Sequence, residues 1–185
     1  MLEIKFRGRG GQGAVVASEI LGKCFFLEGK YPQAFSLFGG ERRGAPVFGF
    51  LRVDDKPILL KCQIKNPDHV IVFDLSLADE SEILGEIKPG GTFLINTRDG
   101  IERFQHLRKF QVGLIDANGI AGSTGLGHTF NTAVLGAYVR MAGLVKIDTL
   151  VSVISTTIPS RVEANIQATR LSYDQVKVYR PEETS

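Results

Sequence analysis

Between a short apolar run, Leu2 to Phe6, and an amphipathic run that opens at Ala14, the chain reads Phe-Arg-Gly-Arg-Gly-Gly-Gln-Gly over residues 6–13. This order predicts a strand, a glycine turn and a helix start. Gly8, Gly10 and Gly13 fall in the G-x-G-x-x-G spacing, which permits positive φ, close approach of backbone to a ligand, and tight packing of helix on strand. Backbone N–H groups at such a helix start lack internal partners and carry partial positive charge, so they can hold an anion. Arg7 and Arg9 add charge of the same sign. The competing reading is a tight turn needed only for packing.

Periodicity fills in the rest. Apolar residues from Val15 to Leu27 recur at helical spacing, predicting a helix from Ala14 to Glu28 that Gly29 stops. Residues 31–38 read as a second strand, and a loop follows, Gly39-Gly40-Glu41-Arg42-Arg43-Gly44-Ala45-Pro46. Val47 to Val53 and Ile58 to Leu60 flank a polar turn, Asp54 to Pro57, and predict a hairpin that brings antiparallel pairing into the sheet. Further strands are expected at His69–Phe73, Thr92–Asn96 and Gln111–Asp116, with a helix over Leu77–Ile87. Gly119 to Gly127, with four glycines, reads as a flexible loop at the carboxyl edge of the sheet. The C-terminal third is predicted helical: Asn131 to Ala142, a segment capped by Asp148 and running to Val153, and another capped by Ser160 and running to about Leu171. The expected architecture is α/β, one Rossmann-like three-layer domain over residues 1–180. Its sheet is mixed and mostly parallel, and residues 181–185 form a disordered tail.

Composition narrows the function. A net charge of +2 and no basic run interleaved with aromatics argue against a nucleic-acid binder. Two cysteines, Cys24 and Cys62, are too few for a zinc or iron–sulfur site, so an electron carrier must belong to another chain. No apolar stretch approaches the ~20 residues of a membrane span, and the expected location is cytoplasmic. His69, His106 and His128 are scattered with no nucleophile or metal spacing, although His128 lies near the glycine-rich loop. Asp74 and Asp116 end apolar strands, where a carboxylate caps a following helix as readily as it does chemistry. No catalytic acid and base pair emerges.

Besides the packing turn, two readings of the glycine turn stay open on residues alone. A dinucleotide site wants an acidic residue at the end of the second strand, where this chain has Gln33 to Ser36, so a free-standing NAD or FAD enzyme is disfavoured. A non-catalytic anion-binding scaffold is another. In the second loop, Arg42 and Arg43 sit between glycines and apolar residues, which favours contact with an anion or a partner over a solvated turn.

Glu3 to Val15 together with Phe38-Gly39-Gly40-Glu41-Arg42-Arg43-Gly44-Ala45-Pro46-Val47 resembles the gamma subunit of 2-oxoacid:ferredoxin oxidoreductases, above all the pyruvate and branched-chain types. Asp55-Lys56-Pro57-Ile58, Pro89-Gly90-Gly91-Thr92 and Asn131-Thr132-Ala133-Val134-Leu135-Gly136-Ala137 extend the likeness to about residue 140. Leu126 to Phe130 depart from the Gly-Asn-type stretch of many relatives. The resemblance implies a multi-subunit enzyme that decarboxylates a 2-oxoacid on thiamine diphosphate, sends electrons through [4Fe–4S] clusters to ferredoxin, and forms an acyl-coenzyme A. It places thiamine diphosphate and clusters on alpha, beta and delta partners, the last ferredoxin-like. For this chain it implies a cofactor- or interface-facing site made of Gly8, Arg9, Gly10, Gly11, Gln12, Gly13, Arg42, Arg43 and Gly44, with Asn131 capping the helix beside them. Coenzyme A is the anion expected there.

Overall fold

The computed structural model describes residues 1–38, 45–77 and 84–181. In chain order these give β1 (Leu2–Arg9), α1 (Ala14–Leu27), β2 (Tyr31–Phe38), β3 (Pro46–Asp54), β4 (His69–Val72), β5 (Thr92–Asn96), β6 (Gln111–Ile115), α2 (Ala117–Ser123), α3 (Asn131–Ala142), α4 (Ile147–Thr157), α5 (Val162–Gln175) and β7 (Lys177–Tyr179). Short 3-10 turns cover Leu75–Leu77 and Ile101–Leu107. The seven strands form one sheet in the order β2-β3-β1-β4-β5-β6-β7. β1, β4, β5 and β6 are mutually parallel, whereas β3 runs antiparallel to both β1 and β2, and β7 antiparallel to β6. Five strands thus share one direction, and the sheet is mixed and mostly parallel as the sequence predicts.

Each face of the sheet buries a different set of residues. Ile4 and Phe6 of β1, with Leu51 and Val53 of β3, face α1, α3 and α4 in the larger core. Val70, Val72, Phe93, Ile95, Val112 and Leu114 face the other way and are covered by Ile101, Phe104, Leu107 and Ile87. Along β1 the residues that alternate with Ile4 and Phe6 are Glu3, Lys5 and Arg7, and the last two are buried. Lys5 and Arg7 both contact Glu86, and both lie over the Phe48 ring, at 5.1 and 5.4 Å from its centroid. In β3, Arg52 donates to Glu3 Oε1 (3.0 Å) and stacks over Phe35. The second face of β1-β2-β3 is therefore a layer of cations sandwiched by aromatic rings and acids.

The hairpin expected across Asp54–Pro57 does not form. Ile58 to Leu60 adopt no strand, because β3 already has β2 on one side and β1 on the other and has no edge left to offer. β2 and β3 are the actual hairpin. The expected loop at Gly119–Gly127 is also wrong in its first half: α2 occupies Ala117–Ser123, capped by Asp116 Oδ1 accepting from the Gly119 amide at 2.8 Å. The cap and the burial of Ile120 and Ala121 outweigh the poor helix propensity of glycine. Asp148 stands inside the first turn of α4, which runs on to Thr157, and the left-handed Arg161 (φ 52°), not Ser160, precedes α5. The predicted helix over Leu77–Ile87 falls largely outside the described residues, as does the tail from 182.

α3 and α5 meet along a polar seam. Thr132 Oγ1 donates to Asn165 Oδ1 (2.9 Å), and Thr169 Oγ1 donates to Thr132 O (3.2 Å). Such close approach requires Gly136, where an added Cβ would collide with the Thr169 carbonyl and Ser172 Oγ. Gly136→Ala is expected to lower stability by about 1–3 kcal/mol through overpacking, read as a lower urea midpoint with unchanged slope.

Candidate functional site

The glycine turn joins the carboxyl end of β1 to α1. β1 and β4 are adjacent and parallel, yet the chain leaves β1 toward β2 and leaves β4 toward β5, on opposite sides. This is the switch point at which open α/β sheets present a crevice. Here the crevice is bridged by the protein's own side chains. Asp74, just beyond β4, accepts from Arg9 Nε (3.1 Å) and Gln12 Nε2 (2.9 Å) through Oδ2, while Oδ1 accepts from the Ser76 amide (3.0 Å). Arg9 Nη2 donates to Ser76 Oγ at 2.7 Å. Gln12 closes the ring, its Oε1 accepting from the Arg9 amide at 2.8 Å. Although burial opposes it, hydrogen bonds from Ser76 and Gln12 and the nearby Arg9 charge hold the Asp74 carboxyl below its ordinary pKa.

The glycines divide into two kinds. Gly8 is buried, and a Cβ there would press on Ala14 and Phe73 at 3.2 Å, so it serves the packing of α1 on the sheet. Gly10 donates its amide to Ala45 O (3.0 Å) and ties the turn to the start of β3. Gly11 is exposed at φ 96°, with open space where a Cβ would point. Gly13 sits at the N-cap of α1 at φ 79°, where no side chain caps the helix. A Cβ on Gly13 would lie 2.7 Å from Asn131 Nδ2, so Asn131 does stand beside the turn as the resemblance implied. Its role differs from capping: Phe130 holds the cap position of α3, and Asn131 Oδ1 accepts from the next amide, Thr132. Arg42, Arg43 and Gly44 lie outside the described residues.

Elsewhere the candidates disperse. Asp116 is a helix cap, also paired with Arg98 (3.0 Å). His106 and His128 are exposed. His69 Nδ1 lies 2.8 Å from the Tyr138 hydroxyl, and burial pulls its pKa down to about 4 against the raising effect of Asp68. It lines a cleft of about 540 Å³ at the opposite end of the sheet from the glycine turn, with Lys30, Asp54, Asp55, Asp68 and Lys88. Lys30 pairs there with Asp55, and Lys88 with Asp68, so the charges of that cleft are satisfied internally. Among the described residues, no group of three or more His, Cys, Asp or Glu side chains could hold a metal ion, and no helix is long and apolar enough to cross a membrane. Cys24 is buried on the inner face of α1, where burial pushes its thiol up to about 12, and Cys62 is exposed. Sequence reasoning overlooked the Asp74 clamp and the burial of Lys5 and Arg52, and it counted Arg7 toward the charge of the glycine turn, whereas Arg7 is buried against Glu86 and Phe48. For Lys5 and Arg7 the signal was present in the charged residues at every second position of β1.

The model of the family described as pyruvate ferredoxin/flavodoxin oxidoreductase matches residues 3–175. The chain belongs to this family. Pyruvate synthase subunit PorC of Methanothermobacter thermautotrophicus is 44% identical over 182 residues, covering 97% of this chain and 98% of the relative. The pyruvate/ketoisovalerate oxidoreductases common subunit gamma of Thermococcus kodakarensis is 46% identical over 184 residues, covering 97% and 99%. Among solved structures, the pyruvate oxidoreductase subunit PORC of Thermotoga maritima superposes with a TM-score of 0.83 at 33% identity, over 96% of this chain and 97% of that one. The same fold, at 18% identity and a TM-score of 0.73, makes up 33% of a chain of the 2-oxoglutarate:ferredoxin oxidoreductase of Magnetococcus marinus. The gamma-subunit resemblance read from the two glycine-rich motifs is thus borne out.

Two pH effects separate in this geometry. His69 has a folded pKa below its unfolded value, so its contribution is complete above about pH 6.5 and is lost as pH falls toward 4, worth about 3 kcal/mol in all. His69→Asn should flatten that part of a stability-versus-pH curve measured by chemical denaturation. The depressed Asp74 contributes above the ordinary carboxylate range and loses its effect as pH drops below it. Asp74→Ala should cost about 1 kcal/mol at neutral pH by removing the carboxylate that Arg9 Nε and Gln12 Nε2 share, with faster amide exchange confined to residues 9–13.

Proposed function

We propose that the chain is the gamma subunit of a pyruvate- or branched-chain-type 2-oxoacid:ferredoxin oxidoreductase, an enzyme coupling coenzyme A-dependent oxidative decarboxylation to reduction of ferredoxin. The observation that carries this reading is the end-to-end match to subunits of that name, at 44–46% identity. Its partners are an alpha chain, a thiamine diphosphate-bearing beta chain and a ferredoxin-like delta chain. The chemistry is theirs: two cysteines cannot supply the four thiolates of a [4Fe–4S] cluster.

What this chain contributes is a rigid turn. The Asp74 clamp fixes Arg9 and Gln12, leaving Gly11 and the uncapped start of α1 facing outward with donors and positive dipole. A phosphate of coenzyme A, or a carboxylate of a partner, fits that end, and Arg42 and Arg43, outside the described residues, are the further cations the sequence offers for it. A free-standing dinucleotide enzyme fits poorly, since Arg9, Gln12, Asp74 and Ser76 fill the switch-point crevice.

Co-expression with thiamine- and cluster-bearing subunits should yield a brown, active complex, and the chain purified alone should be colourless and without turnover. A brown, active preparation of the single chain would overturn the reading. Gly11→Ala adds a methyl into open space and strains the backbone by about 1–2 kcal/mol, so the isolated chain should fold. In the complex it should raise the KM for coenzyme A or weaken assembly. Unchanged kinetics and assembly would reduce the turn to a packing device.

A further inference from the structure

The two edges of the sheet are built differently. β7 is three residues long, begins with Lys177 and is followed by Arg180 and Pro181, the usual means of discouraging further pairing. β2 is eight residues long, Tyr-Pro-Gln-Ala-Phe-Ser-Leu-Phe, with no charged residue, and among the described residues it pairs with β3 alone. Pro32 trims one donor near its end and leaves the centre around Ala34 able to pair. Tyr31 and Leu37 stand 45% and 41% exposed on one face of this edge.

Over the other face lies α1, whose outward stripe is Val16, Glu19, Lys23 and Phe26, spaced three, four and three residues apart. Val16 and Phe26 are 41% and 66% exposed. The stripe reads apolar, acidic, basic, apolar, and it is complementary to its own reverse. Laid antiparallel against a second copy, Val16 meets Phe26 and Glu19 meets Lys23, at both ends of the contact. β2 behaves the same way about Ala34: Ala34 faces its own counterpart, Gln33 faces Phe35, and exposed Tyr31 faces exposed Leu37, with no like-charge pair.

One axis serves both elements. A Cβ on Gly22 would lie 3.7 Å from Pro32 Cβ, 3.9 Å from Ala34 Cβ and 3.3 Å from Leu51 Cδ1, so the middle of α1 stands above the middle of β2 and spans β2 and β3. An axis half a strand spacing beyond β2 puts the two α1 helices about two strand spacings apart, about 10 Å, which is the separation of directly packed helices. We propose that this chain self-associates as a two-fold dimer through the β2 edge and the Val16–Phe26 stripe of α1, joining two sheets into one. The groove between α1 and β2, lined by Glu19, Gly22, Lys23, Phe26, Pro32 and Ala34, is then filled by the partner helix.

Sedimentation of the full chain tests this. The unaltered protein should form a dimer. Glu19→Lys and Lys23→Glu each set like charges face to face at both contacts and should raise the dimer Kd by about tenfold or more. An equimolar mixture of the two variants restores Lys against Glu at both ends and should dimerise again, as should the chain carrying both substitutions. Both positions are exposed, so far-UV circular dichroism should stay unchanged. The proposal fails if the unaltered chain is monomeric at every soluble concentration, if both reversals leave a dimer intact, or if the mixture does not recover it. A monomer in which Glu19→Lys instead weakens binding to other oxidoreductase subunits would assign the surface to them and also overturn it.

Discussion

Cations buried on one face of a β-strand are the constraint around which this fold is arranged. Lys5, Arg7 and Arg52 are each less than 5% exposed, and charges withdrawn from water cost several kcal/mol unless they are paired and hydrogen-bonded. Glu3 and Glu86 supply the pairing, and Phe35 and Phe48 supply ring faces. Because side chains alternate along a strand, a one-residue slip of β1 against β3 would drive Lys5 and Arg7 into the apolar core under α1 and expose Ile4 and Phe6. The ionic layer therefore adds little net stability but penalises every register except the native one. With β1 fixed between β3 and β4, the end of β1 falls opposite Asp74, and the glycine turn acquires its shape.

That dependence explains what could be read from residues in order and what could not. α1 and α3 were legible because their signals are local: helical spacing of apolar residues, a stop at Gly29, and a start at Asn131. β4, β5 and β6 are apolar runs flanked by turn residues, and the strand boundaries match within a residue. The hairpin at Asp54–Pro57 was misread because a good turn sequence says nothing of whether a strand edge is vacant. α2 was misread because its Asp116 cap and buried contacts overrule the two glycines inside it, Gly119 and Gly122. The glycine spacing located the turn, and Asn131 lies against Gly13 without capping a helix there. Asp74, sixty-odd positions away, could be read only as an acid at the end of a strand, since its partners depend on β1 and β4 being neighbours.

The clamp also separates this turn from a nucleotide-binding one of the same spacing. In a dinucleotide fold the switch-point crevice must stay open for a pyrophosphate, and an acid on the second strand holds the ribose. Here the acid has moved to the strand on the other side of β1, and it binds the turn itself. Arg9 is held by Asp74 and Ser76, and no side chain caps the first turn of α1. A turn braced in this way is fixed before any contact and has little freedom left to lose.

Placement of the two surfaces follows from the same topology. The glycine turn lies at the carboxyl end of the parallel strands, while the β2 edge and the α1 stripe run along the flank, so engagement of one leaves the other accessible. α1 links them: its first turn borders the site and its outward stripe borders the edge. Gly8 and Gly49 bring the start of this helix close to β1 and β3, with the Ala14 carbonyl 3.1 Å from where a Gly49 Cβ would stand. A helix packed that tightly moves with the sheet as one body, so a partner seated on the flank fixes the orientation of the turn without touching it.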